Sequence, residues 1–282
     1  MVENSKFEFN CDRLNSEVFS AVSQLQSNRY FRDRHNLFYI EGVRNFIQVV
    51  ESNFEIVTIL YSEKLLIVPP ARQLIRKLRR SGIKTIKLTP EEFRKISHTE
   101  KASGIAAIVS QRWTKLHQIS PQKELCWTAL EQVRSPGNLG TLIRTSEAIG
   151  GGGFILIGKN IDPYNPNVIR ATMGALFHQK LIRTTYNSLN RWIRRHSCQV
   201  VGASPDGKVD FHRFQYPRST ILFLGEERKG LSKNQQDLCD RLVRIPMVGK
   251  SDSLNLGVAG SLLLYEVYKS KTVAKSVRKQ RK

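Results

Sequence analysis

Arg144 stands in an apolar setting, and its neighbours suggest what it is for. The stretch VRSPGNLGTLIRTSEAIGGGG runs from Val133 to Gly153. Asn138 can open a helix there, along which Leu139, Leu142, Ile143 and Ile149 recur at helical spacing. Arg144 follows Gly140 by four residues and so shares its face. A guanidinium stays protonated and presents a rigid fork of donors. Beside a glycine it suits an anion that needs room. Pro136-Gly137 makes a turn ahead of Asn138, which aims the first backbone N–H groups of the helix into the same space as Arg144.

Two further loops carry special residues. In LFLGEERKGLS, Gly225 and Gly230 bracket Glu226 and Glu227 directly after an apolar strand, and glycines there let a ligand approach the backbone closely. In IPMVGKSDSLNLGVAGS, a strand end with Ile245 and Met247 leads through small residues into a helix entered by Ser253-Leu254-Asn255. Singly, each feature has an ordinary structural explanation. Arg144 can be a surface arginine, Glu226-Glu227 a solvated turn, and Ser253 and Asn255 helix caps. The four glycines at 150–153 read as a helix-to-strand connection, because neither G-x-x-x-x-G-K-[ST] nor G-x-G-x-x-G is present. That absence also counts against a phosphate-loop nucleotide enzyme.

These loops need strands and helices to position them. Periodicity predicts a helix around Glu17–Gln26, a strand over Phe38–Ile40, a helix carrying Val43, Phe46, Ile47 and Val50, and a strand in FEIVTILYS. ARQLIRKLRRSG reads as a basic helix, IKTIKLT as a strand, PEEFRKISHT as a helix capped by Thr89 with Pro90 in its first turn, and ASGIAAIVS as a strand. This alternation predicts an α/β domain over 1–112, then a linker at 113–123. A second alternation over 124–269 runs through LCWTALEQV, the Asn138–Ile149 helix, FILIG, a helix over Asn167–Leu176, QVVGASP, STILFLGEE, RLVRIPMVG and a closing helix. Its strands are apolar nearly throughout, as buried parallel strands are. Residues 269–282 hold seven Lys/Arg and no acid, so a tail at 270–282 is expected to be disordered or to order only on a polyanion.

Composition narrows the partners. The 282 residues carry 45 Lys+Arg against 24 Asp+Glu, a net +21. Residues 1–112 hold 18 basic and 12 acidic residues (+6), and 113–282 hold 27 and 12 (+15). Such an excess favours polyanions, nucleic acid first and acidic membrane surface second. Cys11, Cys126, Cys198 and Cys239 form no C-x-x-C pair, and the six histidines form no H-x-x-x-H, so neither a disulfide framework nor a metal is expected. There is no signal-peptide pattern and no apolar run near 18 residues, so no membrane association is expected. The location expected is the cytoplasm or an equivalent reducing compartment of an organelle.

Taken together, in this order and spacing, NLGTLIRT, LFLGEERKGLS and IPMVGKSDSLNLGVA resemble the three motifs of the SpoU (TrmH-like) RNA ribose methyltransferases of the SPOUT superfamily. DPYNPNVIRATMGALF at 162–177 is similar to the segment that family carries between its first two motifs. The resemblance spans roughly Leu125 to Lys269. The first half, from FYIEGVR through LTPEEF to GIAAIV, is similar to the family's ribosomal-protein-like substrate-binding domain. The resemblance implies an N-terminal α/β substrate-binding domain and a C-terminal α/β trefoil-knot domain with a mainly parallel sheet. It implies bound S-adenosylmethionine, a homodimer with sites near its interface, and methylation of a ribose 2′-hydroxyl in ribosomal or transfer RNA. By position, Gly225, Glu226, Ile245, Met247 and Leu254 would contact the cofactor. Asn138, Arg144, Glu227, Ser253 and Asn255 would line the reacting centre. The basic helix, with Arg72, Arg76, Lys77, Arg79 and Arg80, would meet RNA together with Arg170.

Two positions depart from the family pattern. Glu226 stands where the family usually has an asparagine, and Gly257 stands where a second serine is frequent. Any work of that hydroxyl then falls to Ser232, Ser251 or Ser253. A ribose 2′-OH must lose its proton as it attacks, and a guanidinium is a poor base. Arg144 is therefore read as a clamp on substrate phosphate and a stabiliser of the developing alkoxide, with the base left open. The alternative is a non-catalytic RNA-binding or ribosome-assembly protein on the same fold, against which the intact Arg144 and motif glycines argue.

Overall fold

The computed structural model describes residues 14–217 and 219–280, with side chains described for 17–217 and 219–271. By contact the chain divides into two units. One comprises Met1–Gln111 with Tyr164–Arg170, and the other Arg112–Pro163 with Ala171–Lys282.

The first unit opens with α1 (Leu14–Ser27) and α2 (Arg29–His35), the latter capped by the Asn28 side chain. It continues with β1 (Leu37–Glu41), α3 (Val43–Glu51), β2 (Ile56–Tyr61), α4 (Pro69–Arg80), β3 (Lys84–Lys87), α5 (Pro90–Ile96) and β4 (Ile105–Ser110). The expected Thr89 cap is present as a full capping box with Glu92. The sheet order is β1-β4-β2-β3. β4 runs antiparallel to both β1 and β2, and only β2 and β3 are parallel. Val18, Val22 and Leu25 of α1 bury against Leu37, Tyr39, Leu60, Phe93 and Ile108. Those α1 positions are one helical face.

The second unit holds β5 (Trp127–Leu130), α6 (Pro136–Ala148), β6 (Gly153–Ile157), the end of α7 (Pro166–Thr172), β7 (Lys180–Thr184), α8 (Tyr186–His196), β8 (Gln199–Ala203), β9 (Val209–Asp210), β10 (Thr220–Leu224), α9 (Lys233–Asp237), β11 (Arg241–Arg244) and α10 (Leu256–Gln280). Its seven strands are ordered β7-β6-β5-β10-β8-β11-β9, and every pairing is parallel. Such a sheet is covered on both faces, which explains the unbroken apolar runs in β5, β6 and β10, buried at every position.

Several expectations need correction. Residues 113–123 are not a free linker: the Arg183 guanidinium lies 4.1 Å from the Trp113 ring, Thr114 donates to the Leu181 carbonyl at 2.8 Å, and Ile119 is buried in the second unit's core. The helix expected over Asn167–Leu176 breaks after Thr172, where Met173 and Gly174 take positive φ, and resumes as a short 3-10 turn at Ala175–His178. Helix α10 runs on to Gln280, through most of the basic tail expected at 270–282. Cys11, Arg281 and Lys282 lie outside the described residues. Among the described residues no helix is long and apolar enough to cross a membrane, and no His/Cys/Asp/Glu cluster is arranged to hold a metal ion.

Candidate active site

β10, β8 and β11 are adjacent in the parallel sheet, and a cavity of about 430 Å³ opens at their C-terminal ends. That is where open α/β sheets place ligands. Ala203 ends β8 and Ser204–Asp206 follow it into the cavity, Gly225–Leu231 follow β10, Val243 lies in β11, and Ile245 and Met247 lie just past its end. Asp252–Leu254 and Leu256, at the turn into α10, complete the wall.

The loop after β10 is tightly folded. Glu226 and Gly230 exchange two backbone hydrogen bonds of 3.0 Å, and Gly230 takes φ +64° to make the return. A Cβ on residue 225 would lie 2.1 Å from the Gly230 carbonyl carbon and 2.4 Å from the Leu231 nitrogen. Gly225 is therefore required by the loop's own return strand. The expectation that it leaves room for a ligand is corrected accordingly.

The two glutamates of this loop hold the segment before α6. Glu226 is ion-paired with the Arg134 side chain. The Glu227 carboxylate accepts from the Arg134 N–H (3.0 and 3.1 Å), the Ser135 N–H (3.1 Å) and the Asn138 amide nitrogen (3.2 Å). Burial pushes the Glu227 carboxyl up, but the hydrogen bonds from Ser135, Arg134, its own backbone and Asn138 outweigh that and hold it below the usual carboxylate range. It is an anion at neutral pH, with Oε1 accepting from three donors and Oε2 from the Arg134 N–H alone.

Helix α6 starts earlier than Asn138. Ser135 is its cap, accepting from the Asn138 N–H, and Pro136 sits at the first helical position. Asn138 lies inside the first turn, buried, with its amide on Glu227. Gly140 does not border open space: a Cβ there would lie 2.3 Å from the Ala171 Cβ. On the other side, α10 comes close to α6 through its own small residues. A Cβ on Gly260 would lie 2.3 Å from Leu142 Cδ2, one on Gly257 would lie 3.2 Å from Thr141 Cβ, and the Thr145 and Ser261 hydroxyls are 2.8 Å apart. Arg144 is exposed on this packed helix and has no hydrogen bond or ion pair among the described residues.

Residues 127–265 match the model of the SpoU rRNA methylase family, and residues 17–107 match that of the MRM3-like substrate binding domain. A crystal structure of an AdoMet-bound rRNA methyltransferase from Sinorhizobium meliloti superposes with a TM-score of 0.83 at 30% identity, covering 91% of this chain and 95% of that one. The chain belongs to the SpoU family. A 23S rRNA (uridine(2479)-2′-O)-methyltransferase of Streptomyces viridochromogenes is 29% identical over 260 residues, 90% of each protein. A 23S rRNA (guanosine(2553)-2′-O)-methyltransferase of Bacillus subtilis (strain 168) is 26% identical over 236 residues, 84% of this chain and 90% of that protein. These two family members act on different nucleotides, so family membership does not fix the base.

The cavity gathers all five residues expected at the cofactor, Gly225, Glu226, Ile245, Met247 and Leu254, with Glu227 and Ser253 of the expected reacting centre. Asn138, Arg144 and Asn255 are not on its wall. Asn255 is the cap of α10: its side-chain oxygen accepts from Gly257 N–H (2.9 Å) and Val258 N–H (3.3 Å). Ser232 is likewise engaged, capping α9 in a box with Gln235, whereas Ser251 and Ser253 are exposed and their hydroxyls make no hydrogen bond among the described residues. Sequence reasoning missed Ala203–Asp206. Its signal was available, since SPDG directly follows an apolar parallel strand. In α4, Arg76, Lys77, Arg79 and Arg80 are exposed, but Arg72 donates to the Leu66 carbonyl at 2.6 Å and the Glu63 carbonyl at 2.9 Å, holding the turn before the helix instead of a ligand. Burial pushes the Cys126, Cys198 and Cys239 thiols up to about 12, 11 and 12, which makes them unreactive at neutral pH.

The wall fits S-adenosylmethionine in kind. Leu224, Val243, Ile245, Met247, Leu254 and Leu256 offer apolar surface for a purine, and the Asp206 and Asp252 carboxylates complement hydroxyl and cationic groups.

Proposed function

We propose that this protein is an S-adenosylmethionine-dependent RNA (ribose-2′-O)-methyltransferase acting on ribosomal RNA. One observation carries the reading: the cavity at the ends of β8, β10 and β11 is tied through Glu227 to the start of the helix bearing Arg144.

Gly225, Glu226, Ile245, Met247 and Leu254 would hold the cofactor, whose contribution is an activated methyl group on a sulfonium. Arg144 clamps a substrate phosphate and steadies the alkoxide that develops at the ribose 2′-oxygen. Among the described residues it has no partner, which leaves its donors available. Ser253 supplies a hydroxyl at the cavity that can hydrogen-bond the ribose. Glu227 is a positioning residue: a carboxylate held below its usual range by four hydrogen bonds is a weak base. Asn138 acts through it.

The first unit selects the RNA, with the exposed basic residues of α4 and Arg170 meeting phosphates. Val258, Leu262, Tyr265 and Tyr268 are large apolar residues exposed along α10 at near-helical spacing, a face suited to a second copy of the chain. A homodimer seated on α10 would lie alongside α6 and bring RNA bound across the interface to Arg144. The knotted C-terminal topology and a reducing, RNA-containing compartment follow from the same family reading.

Full-length protein, methyl-labelled S-adenosylmethionine and unmodified ribosomal RNA test it. The expected product is label in an alkali-stable dinucleotide, the signature of a 2′-O-methyl ribose. Label on a base, or none in RNA while cofactor binds, overturns the reading.

A further inference from the structure

One face of the second unit's sheet, carrying Trp127, Ile155, Ile182 and Phe223, is covered by α8 and by the segment 112–123. Leu189 and Trp192 of α8 and Ile119 of the segment are buried in that cluster, with Leu116, Tyr186 and Ile193 packed against it. Gln122 Nε2 donates to the His196 carbonyl at 3.0 Å, which fastens the end of the segment to the last turn of α8. The outward side of this pair is cationic. Arg191, Arg194 and Arg195 are exposed on α8, at spacings that put them on one helical face, and Lys115 and Lys123 are exposed on the segment.

None of these five side chains has an ion pair or a hydrogen bond among the described residues. Neither α8 nor 112–123 contains an Asp or a Glu. Two acids border the same end of the sheet, and both are engaged: Glu124 with Lys180 Nζ at 2.5 Å, and Asp240 with the Val200 N–H at 2.8 Å. Elsewhere exposed cations do find partners, as Lys87 with Glu63, Arg94 with Glu91 and Lys233 with Asp237. Cations in a last turn suit the helix dipole, which accounts for Arg194 and Arg195. It does not account for Arg191, or for the two lysines outside the helix. Like charges at these helical spacings repel, and a polyanion laid across them would relieve the repulsion.

The strands are all parallel, so α8, between β7 and β8, runs back from the cavity end of the sheet to the other end. Its last turn, with Arg194 and Arg195, therefore lies opposite the cavity, as does Lys123 ahead of β5. Among the described residues no large apolar side chain is exposed on α8 or on 112–123, so this face has nothing to insert into a bilayer. Three of the five cations are arginines, whose planar forks match phosphate.

We infer that this face is a second RNA-docking surface: Arg191, Arg194, Arg195, Lys115 and Lys123 hold backbone phosphates of an RNA segment remote from the methylated nucleotide. It reads no base, and it places part of the RNA affinity on the second unit, apart from α4 and Arg170. The inference rests on the RNA-methyltransferase reading only in taking RNA as the polyanion.

The test measures binding of a fluorescent RNA duplex of about 30 base pairs to the full-length protein across a salt series. The triple variant Arg191→Gln, Arg194→Gln, Arg195→Gln is expected to bind on the order of tenfold more weakly, with a salt slope lower by about two to three. Its melting and its affinity for S-adenosylmethionine should match the parent's. A control, Lys87→Gln with Arg94→Gln and Lys233→Gln, removes the same charge from ion-paired positions and should keep the parent slope. An unchanged slope in the α8 variant, or an equal fall in the control, overturns the proposal. If the α8 variant melts early, Lys115→Gln with Lys123→Gln reads the same face from outside the helix. A slope lower by about one to two is then expected, and an unchanged one overturns the proposal. Phosphatidylserine vesicles supply the other polyanion: vesicle binding lost in the α8 variant while RNA binding stays whole assigns the face to a membrane and overturns it. Calorimetry with S-adenosylmethionine separates the two readings, because a parent that binds RNA through this face but no cofactor counts against the enzyme and not against the surface.

Discussion

The Asn138 amide lies 3.2 Å from the Glu227 carboxylate, joining the first turn of α6 to the loop after β10 across 89 residues of sequence. Through this bond, and those from the Arg134 and Ser135 N–H groups, the cavity loop and the arginine helix are held as one piece.

Glu227→Gln should therefore lower kcat/KM by on the order of tenfold while leaving the fold intact. It should also change the acid limb of stability. A carboxyl whose folded pKa is depressed contributes stability above its unfolded value, and that contribution disappears as pH falls through the folded value. Thermal melts between about pH 6 and pH 3 should show the parent losing more than the glutamine variant. Parallel pH profiles would mean the carboxylate contributes no such linkage.

Arg144→Ala should fold and bind cofactor like the parent, because Arg144 is exposed and, among the described residues, unpaired, yet lower turnover by on the order of a hundredfold. Arg144→Lys should not rescue it, since an ammonium does not reproduce a two-point fork. Turnover at the parent rate in the alanine variant reduces Arg144 to an ordinary surface residue.

Gly225→Ala and Gly140→Ala should both destabilise, by about 1–3 kcal/mol or more, because each added methyl enters occupied space. They should differ in cofactor affinity. Gly225→Ala forces apart the Glu226–Gly230 pairing on the cavity wall, so calorimetry should show affinity lost with stability. Gly140→Ala presses on Ala171, away from the wall, and should leave affinity in the surviving folded protein near normal. Equal affinity in both variants would detach the β10 loop from the cofactor.

Leu262→Glu places a charge on the exposed apolar face of α10. Sedimentation should show a monomer where the parent is a dimer, with activity falling in step. A parent that sediments as a monomer removes the dimer from the proposal.

What could be read from the sequence was what is decided locally. Thr89, Pro90 and Glu92 announce α5 within four residues, and the apolar runs of β5 and β10 announce buried parallel strands. Errors arose where the deciding partner is remote or where two local rules compete. Asn138 is a good cap, but Ser135 followed by Pro136 is a better start, and the asparagine is drawn to Glu227 instead. Gly140 beside Arg144 looked like open space because Ala171, which fills it, is 31 positions away. In the first unit, nothing in the spacing of β1, β2 and β4 says that β4 inserts between the other two and reverses direction.

Tyr164 is completely buried with its ring 4.6 Å from Phe38, although 126 residues separate them and the segment Tyr164–Arg170 belongs by contact to the first unit. This has a consequence for synthesis. A domain encoded first usually completes its core while the rest of the chain is still being translated. Here the earlier unit lacks a buried tyrosine until β5, α6 and β6 have all been made. The nascent first unit must hold an unfilled site through that interval, and neither half can be excised at Gln111 without leaving the other with an aromatic side chain stripped of its contact.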